Sequence, residues 1–189
     1  MSKSYNGKIL RVNLSNMNIW TEYPDDLFYR KYMGGKGIAL YYLLKLLKPG
    51  TDPLSPDNVL VFAASVLNGV PVPTLTRYTV AAKSPLTGAY GEAEAGGYWA
   101  PELKFAGFDA IVIEGKADHP VYLWIQDGKV EIRDARHLWG KQLGDVQEDI
   151  RKELGDKNIR VAGIGPAGEN LVRFACVINE LKHANGRTG

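Results

Sequence analysis

Apolar and polar residues alternate from the start of the chain. Lys8-Ile-Leu-Arg-Val-Asn-Leu14 has the two-residue period of a half-buried strand. Asn16-Met-Asn18 would turn it into a second strand, Ile19-Trp-Thr-Glu22, closing a hairpin. Pro24-Asp25-Asp26 reads as a helix start, its acids near the positive end of the dipole, and Gly34-Gly35 as the stop. Residues 37–48 form a second predicted helix, with Ile38, Tyr41, Tyr42, Leu44 and Leu47 recurring at helical spacing before Pro49-Gly50. Val59-Leu-Val-Phe62 suits a buried strand, whereas Gly69-Val-Pro-Val-Pro-Thr74 cannot be regular because its prolines remove donors and fix φ. Strands are expected at 77–81 and 88–93, joined by Ser84-Pro-Leu-Thr-Gly88, with a short helix after them from Gly96-Gly97 to Phe105. Strands at 110–113, 121–125 and 130–133 come next, the last two linked by Asp127-Gly128, a preferred tight-turn pair. A helix over 145–154 and strands at 159–164 and 171–178 complete the series. The result is a sheet-rich α+β chain with antiparallel hairpins, not a βαβ alternation.

Composition narrows the function classes. With 189 residues the chain suits one domain, or two small ones sharing a core. Its 45% hydrophobic and 23% charged residues are those of a folded globular protein. The single cysteine, Cys176, excludes a disulfide framework, an all-cysteine zinc site and a self-contained iron–sulfur cluster. Set in an apolar stretch, Cys176 is expected in a buried core strand. A net charge of +2 gives no case for nucleic acid or an anionic membrane. The apolar run at 59–67 is far shorter than the ~20 residues of a spanning helix, so no membrane insertion is expected. The N-terminus lacks the apolar run of a signal peptide, and a cytoplasmic location is expected. His119 and His137 have no second ligand nearby and read as surface or packing residues.

Gly163-Ile-Gly165-Pro-Ala-Gly168 fits the dinucleotide pattern G-x-G-x-x-G after a strand. The next stretch, Leu171-Val-Arg-Phe-Ala-Cys-Val-Ile178, is rich in β-branched and aromatic residues. A strand–turn–strand corner is therefore the better reading, because a phosphate site would need a helix dipole there. Three other stretches set charge beside bare backbone: Thr76-Arg77-Tyr78, Glu92-Ala-Glu94-Ala-Gly96-Gly97, and His183-Ala184-Asn-Gly186-Arg187. Glycine amides and an arginine fork can cradle phosphates or a fused heterocycle. Singly, each also reads as an ordinary strand pair, helix cap or turn.

Taken in order with their flanks, these stretches resemble the N-terminal domain of the tungsten-containing aldehyde ferredoxin oxidoreductase family. The resemblance runs through Gly7-Lys-Ile-Leu-Arg-Val-Asn-Leu14, Gly34-Gly-Lys-Gly-Ile38, Pro53-Leu-Ser-Pro-Asp57 and Lys83-Ser-Pro-Leu-Thr-Gly88. It continues in Gly96-Gly-Tyr98, Glu102-Leu-Lys-Phe-Ala-Gly-Phe-Asp-Ala-Ile111, Glu114-Gly-Lys116 and Gly165-Pro-Ala-Gly-Glu-Asn170. It implies two packed, largely antiparallel β-sheets related by a pseudo-two-fold, with short flanking helices and a tungsten bis-pterin lying across them. Molybdenum is an alternative metal, since it binds the same dithiolene. On this resemblance Arg77 contacts the pterin, and Gly96 and Gly97 let backbone approach it. Backbone oxygens of Glu94 and Ala184 would hold a magnesium ion bridging the pterin phosphates. Glu94 stands where founding members carry asparagine, and His183 replaces an arginine. Gly186 and Arg187 match the family's glycine–arginine pair.

The resemblance further implies oxidation of aldehydes to carboxylates, with ferredoxin or another electron-transfer protein as acceptor. The [4Fe–4S] cluster of such enzymes lies on cysteines downstream of this region. The chain thus reads as a tungstopterin-binding domain over 1–189, truncated at its C-terminal end. It would have no catalytic acid or base of its own, would be inactive alone, and would partner the remaining domains or subunit, with a homodimer among the assemblies allowed. Two rival readings are a cofactor-free scaffold of the same fold and a nucleotide-binding module built on Gly163–Gly168.

Overall fold

The computed structural model describes residues 4–186. Its elements in chain order are strands β1 (Ile9–Asn13) and β2 (Asn18–Glu22), helices α1 (Asp26–Tyr32) and α2 (Gly35–Leu46), then strands β3 (Val59–Ala64), β4 (Tyr78–Lys83) and β5 (Tyr90–Ala95). Helix α3 (Trp99–Phe105) leads into β6 (Ala110–Glu114), β7 (Val121–Gln126), β8 (Lys129–Asp134) and helix α4 (Leu143–Leu154). The last elements are β9 (Ala162–Gly163), α5 (Pro166–Glu169), β10 (Val177–Asn179) and β11 (His183–Asn185).

Local chemistry accounts for the boundaries. Asp25 caps α1, its carboxylate accepting from the Phe28 N–H at 2.9 Å. Gly155, in the left-handed region, closes α4. Asp127 and Gly128 both take positive φ, as the tight turn between β7 and β8 requires.

Six strands form the main sheet in the order β2-β1-β6-β3-β4-β5, antiparallel except for the parallel pair β1/β6. Smaller sheets pair β7 with β8 and order β11-β10-β9. The fold is therefore α+β and largely antiparallel, as the sequence predicts, although the strands fall into three sheets among the described residues. Helices α1 and α2 cover one face of the main sheet, packing Tyr29, Ile38, Ala39, Tyr42 and Leu43 on Ile9, Val61 and Val112. On the opposite face Leu103 and Phe108 join Leu10, Val12 and Ile111, against Leu123, Ile125 and Ile132 of the β7–β8 hairpin. Helix α4 forms an outer layer through Ile150, Val146 and Leu154, which meet Leu138, Tyr122 and Val161.

Several sequence expectations need correction. Leu44, predicted on the apolar face of α2, is 77% exposed, and Leu43 takes the core position beside Ala39. The strand predicted over 171–178 exists only from Val177. Bonds from Val172 N–H to the Ala167 carbonyl and Ala175 N–H to the Val172 carbonyl fold the earlier residues into turns. Leu171, Val172 and Phe174 are exposed there. Cys176 precedes β10 and is only partly buried, not in a core strand. Of the strand predicted over 159–164 only Ala162–Gly163 pairs, because Ile159 and Val161 pack on α4 instead. The Gly163–Gly168 loop does lead into a helix after all, but α5 is a single turn of four residues. Its Glu169 accepts from the Gly140 N–H, so the turn is occupied in joining two loops.

Candidate cofactor-binding site

The three charge-and-glycine stretches, far apart in sequence, meet at one end of the main sheet. Strand β4 starts there and β5 ends there, with Tyr78 opposite Ala95 and Thr79 opposite Glu94. Alternation along β5 buries Gly91, Ala93 and Ala95 and sends Glu92 and Glu94 to the face covered by α2. The N-terminus of α2 is tied to the same end by a bridge between Gly34 and Ser65. This brings Lys36, for which the sequence offered no role in the site, to 2.9 Å from Glu92 and 3.6 Å from Glu94. A hydrogen bond from its ammonium to Glu92 and the charges of both carboxylates raise the Lys36 pKa. Arg77 reaches Glu94 at 3.6 Å and is otherwise turned to solvent, its side chain 72% exposed.

Strand β11 lies alongside β5 and carries the third stretch to the others. His183 pairs with Asn179 and Ala184 with Ile178 across the β10–β11 hairpin. A methyl built on Gly96 would meet Thr76 Oγ1 at 3.6 Å and His183 Nδ1 at 3.8 Å, which are ordinary contacts. Nothing in the chain's own packing therefore calls for glycine at 96, and the missing side chain leaves room for a ligand to approach. Gly97 differs: its φ is +93°, and a methyl there would fall within 2.8 Å of Asn179, Glu180 and His183. Gly186 is accounted for by packing, since a methyl would lie 2.2 Å from Cys176 Cβ. Arg187 lies outside the described residues.

Below this rim Tyr78 donates to Asn179 Oδ1 at 2.9 Å. Burial pushes the Tyr78 hydroxyl pKa well up, opposed in part by the neighbouring Asn185 amide. Asn185 is 4% exposed, yet neither of its amide atoms completes a hydrogen bond of ordinary geometry.

What these residues offer an anionic heterocyclic group is bare backbone at Gly96 more than net charge. Lys36 and Arg77 are balanced by Glu92 and Glu94. Among the described residues no three His, Cys, Asp or Glu side chains gather into a metal-ligating group, so a cation here would rest on main-chain oxygens. His119 and His137 lie elsewhere, beside Asp118 and Glu153. Nor is any helix among the described residues long and apolar enough to cross a membrane.

Comparison with known proteins bears on the chain as a whole. Residues 9–189 match the family described as aldehyde ferredoxin oxidoreductase, N-terminal domain. The chain is 51% identical over 183 residues to the tungsten-containing aldehyde ferredoxin oxidoreductase of Pyrococcus furiosus, covering 97% of this chain and 30% of that one. With the Pyrococcus abyssi enzyme the identity is 53% over 185 residues, covering 98% and 30%. A more distant relative is the WOR-like subunit of the Pyrococcus furiosus aliphatic sulfonate oxidoreductase, 37% identical and matched over 98% of this chain and 32% of its own length. The active-site complex BamBC of benzoyl coenzyme A reductase, solved with 1,5-dienoyl-CoA, superposes with a TM-score of 0.96 at 40% identity, covering all of this chain and 29% of that one. The chain thus spans about 30% of the length of the relatives it matches. From the order of its motifs, the meeting of its glycine-rich stretches and these similarities together, the chain belongs to the aldehyde ferredoxin oxidoreductase family, as its N-terminal domain.

Proposed function

We propose that this domain supplies one wall of a tungsten bis-pterin site, with molybdenum as alternative metal, in an enzyme that oxidises aldehydes to carboxylates and passes electrons to ferredoxin. The observation that carries the reading is the meeting of Thr76-Arg77, Glu94 to Gly97 and His183-Ala184 at one sheet end, around a Gly96 whose bareness the chain does not itself need. In this reading the exposed Arg77 guanidinium donates charge-assisted hydrogen bonds to a pterin or its phosphate. The Gly96-Gly97 backbone and the neighbouring His183 would line the group. Backbone oxygens of Glu94 and Ala184 would take a magnesium ion, and the family's glycine–arginine pair falls on Gly186 and on Arg187, which lies outside the described residues. Lys36 and Arg77 each stand 3.6 Å from the Glu94 carboxylate and partly offset its charge toward an anionic ligand.

When bound, the metal–pterin group supplies the two-electron chemistry by which an aldehyde and water become a carboxylate and protons. This chain's own residues bind, orient and partly neutralise the group. None serves as the acid or base of the reaction, and the domain alone is inactive. The [4Fe–4S] cluster and the ferredoxin contact belong to the remainder of the enzyme.

Anaerobic purification of the protein from its native source, with elemental analysis for tungsten, molybdenum and iron and detection of released pterin, tests the proposal. Metal with pterin is expected, and Arg77→Ala or Arg187→Ala should lower metal per chain. A protein with neither metal nor pterin, under conditions where a relative keeps both, would overturn the reading. Unchanged retention in both arginine variants would remove the site assignment.

A further inference from the structure

The turn between β10 and β11 reaches across to the β5–α3 turn with two side chains. Asn179, fully buried, donates from Nδ2 to the Gly96 carbonyl oxygen at 3.0 Å while its Oδ1 accepts from Tyr78. Glu180 Oε1 accepts from the Tyr98 N–H at 2.6 Å, across 82 residues. Tyr98 stands just before the first residue of α3 and makes no side-chain cap, and its own N–H is satisfied by Glu180 from a distant element. The space beside Gly97 is filled from the same hairpin, with Asn179 Nδ2 and Glu180 Oε2 within 2.8 Å of where a methyl would stand.

The hairpin turn holds this position at a cost in backbone freedom. Glu180 and Leu181 lie in the left-handed region, at φ 53° and 59°, although neither is glycine or asparagine. Such strain persists where the surroundings over-determine it, and it gathers at functional sites. The turn itself asks for positive φ at both positions, closed by the Lys182 N–H on the Asn179 carbonyl, and at Glu180 the Tyr98 N–H adds a second hold.

We infer that Asn179 and Glu180 are positioning residues that lock the Gly96-Gly97-Tyr98 turn to the His183-Ala184 strand, presetting both backbone segments as one rim before the cofactor arrives. The inference rests on the proposed function for what the rim is for, but not for the lock itself. Asn179 fixes the Gly96 carbonyl and Glu180 the Tyr98 amide, so the intervening peptide has little room to rotate. A rim already in place spares a ligand the entropy of ordering it.

The test combines amide hydrogen exchange, read by mass spectrometry on peptides spanning 95–99, with tungsten per chain in the purified protein. Asn179→Asp keeps the acceptor for Tyr78 but loses the donor to Gly96. Glu180→Ala loses the acceptor for Tyr98, and Glu180→Gln keeps it. All of Asn179→Asp, Glu180→Ala and Glu180→Gly should speed exchange at the turn about tenfold, the equivalent of one lost hydrogen bond, and lower tungsten retention. Glu180→Gln should restore both. Glu180→Gly also relieves the strain, so it should loosen the turn without lowering the melting temperature, which loss of a merely structural contact would not do. Leu181→Gly relieves similar strain outside the lock and should move neither readout.

Wild-type exchange in Asn179→Asp and Glu180→Ala would overturn the lock. Faster exchange with wild-type tungsten would overturn its role toward the cofactor. Absence of metal and pterin from the wild-type protein would defeat the proposed function and the rim's purpose with it, while exchange alone would still judge the lock.

Discussion

The Asp109 carboxylate sits beneath the end of the main sheet, 2% exposed, facing a Lys104 that is 7% exposed. It also accepts from the Asn6 N–H at 3.0 Å, the Lys8 N–H at 3.2 Å and the Tyr29 hydroxyl at 2.9 Å. Removing one partner of a buried pair leaves the other charge without compensation. Asp109→Ala should therefore cost about 3–5 kcal/mol, read as a lower urea midpoint. At the surface, hydrogen bonds from the Arg136 side chain and then its backbone N–H hold the Asp134 carboxyl at about 2, below its ordinary 3.8. A depressed carboxylate favours the fold above its ordinary value and loses that contribution as pH falls through about 2. Exposure keeps the contribution to stability small. NMR titration should find the Asp134 midpoint near 2, and Arg136→Ala should return it toward 3.8. Asp109 could not be singled out from the sequence, because Asn6, Lys8 and Tyr29 reach it only through the fold, whereas the partner of Asp134 stands two residues along the chain.

Among the elements, α2 offers the sharpest comparison. Ile38 is wholly buried against the sheet, whereas Leu44, one of five apolar positions that share its periodicity, is 77% exposed. Ile38→Ala should cost about 2–5 kcal/mol, and Leu44→Ala should fall within about 0.5 kcal/mol of wild type. Equal losses in thermal or urea unfolding would show that both faces of the helix are covered in the assembled protein. Periodicity located this helix but chose Leu44 where the core takes Leu43, because apolar residues ring it. The strands with alternation or an Asp-Gly turn, from β1 to β8, were legible for the same reason that they are stable. The segment from 159 to 178 was not. Its β-branched composition suits a strand, but local turn bonds and the outer face of α4 claim those residues first.

For the molecule as a whole, the site was legible only through the order of its motifs. Arg77, Gly96 and His183 each have an ordinary local reading, and only the sheet topology sets Gly96 beside Thr76 and His183, and Arg77 beside Glu94. Asn179 and Glu180 escaped the sequence because their work is done on residues about eighty positions away. Gly97 could be named but not explained, since what requires it is the hairpin that fills its side.

The parallel pairing of β1 with β6 has a consequence for how the chain folds. Ile9 finds Ala110 and Asn13 finds Glu114, so the first strand waits about a hundred residues for its inner neighbour. During synthesis the β1–β2 hairpin leaves the ribosome with one ladder edge open, and α1 and α2 have only part of their sheet to cover. Loop closure over that distance precedes the reward of the contacts, which makes this pairing one of the slow, non-local steps, with the docking of β10–β11 on β5. Until β6 emerges, Ile9, Leu10 and Val12 offer an apolar strand to any passing edge, and the nascent chain is at its most aggregation-prone then. The Asp109 carboxylate arrives immediately before β6 and grips Asn6 and Lys8, so the residue that begins the seal also sets its register.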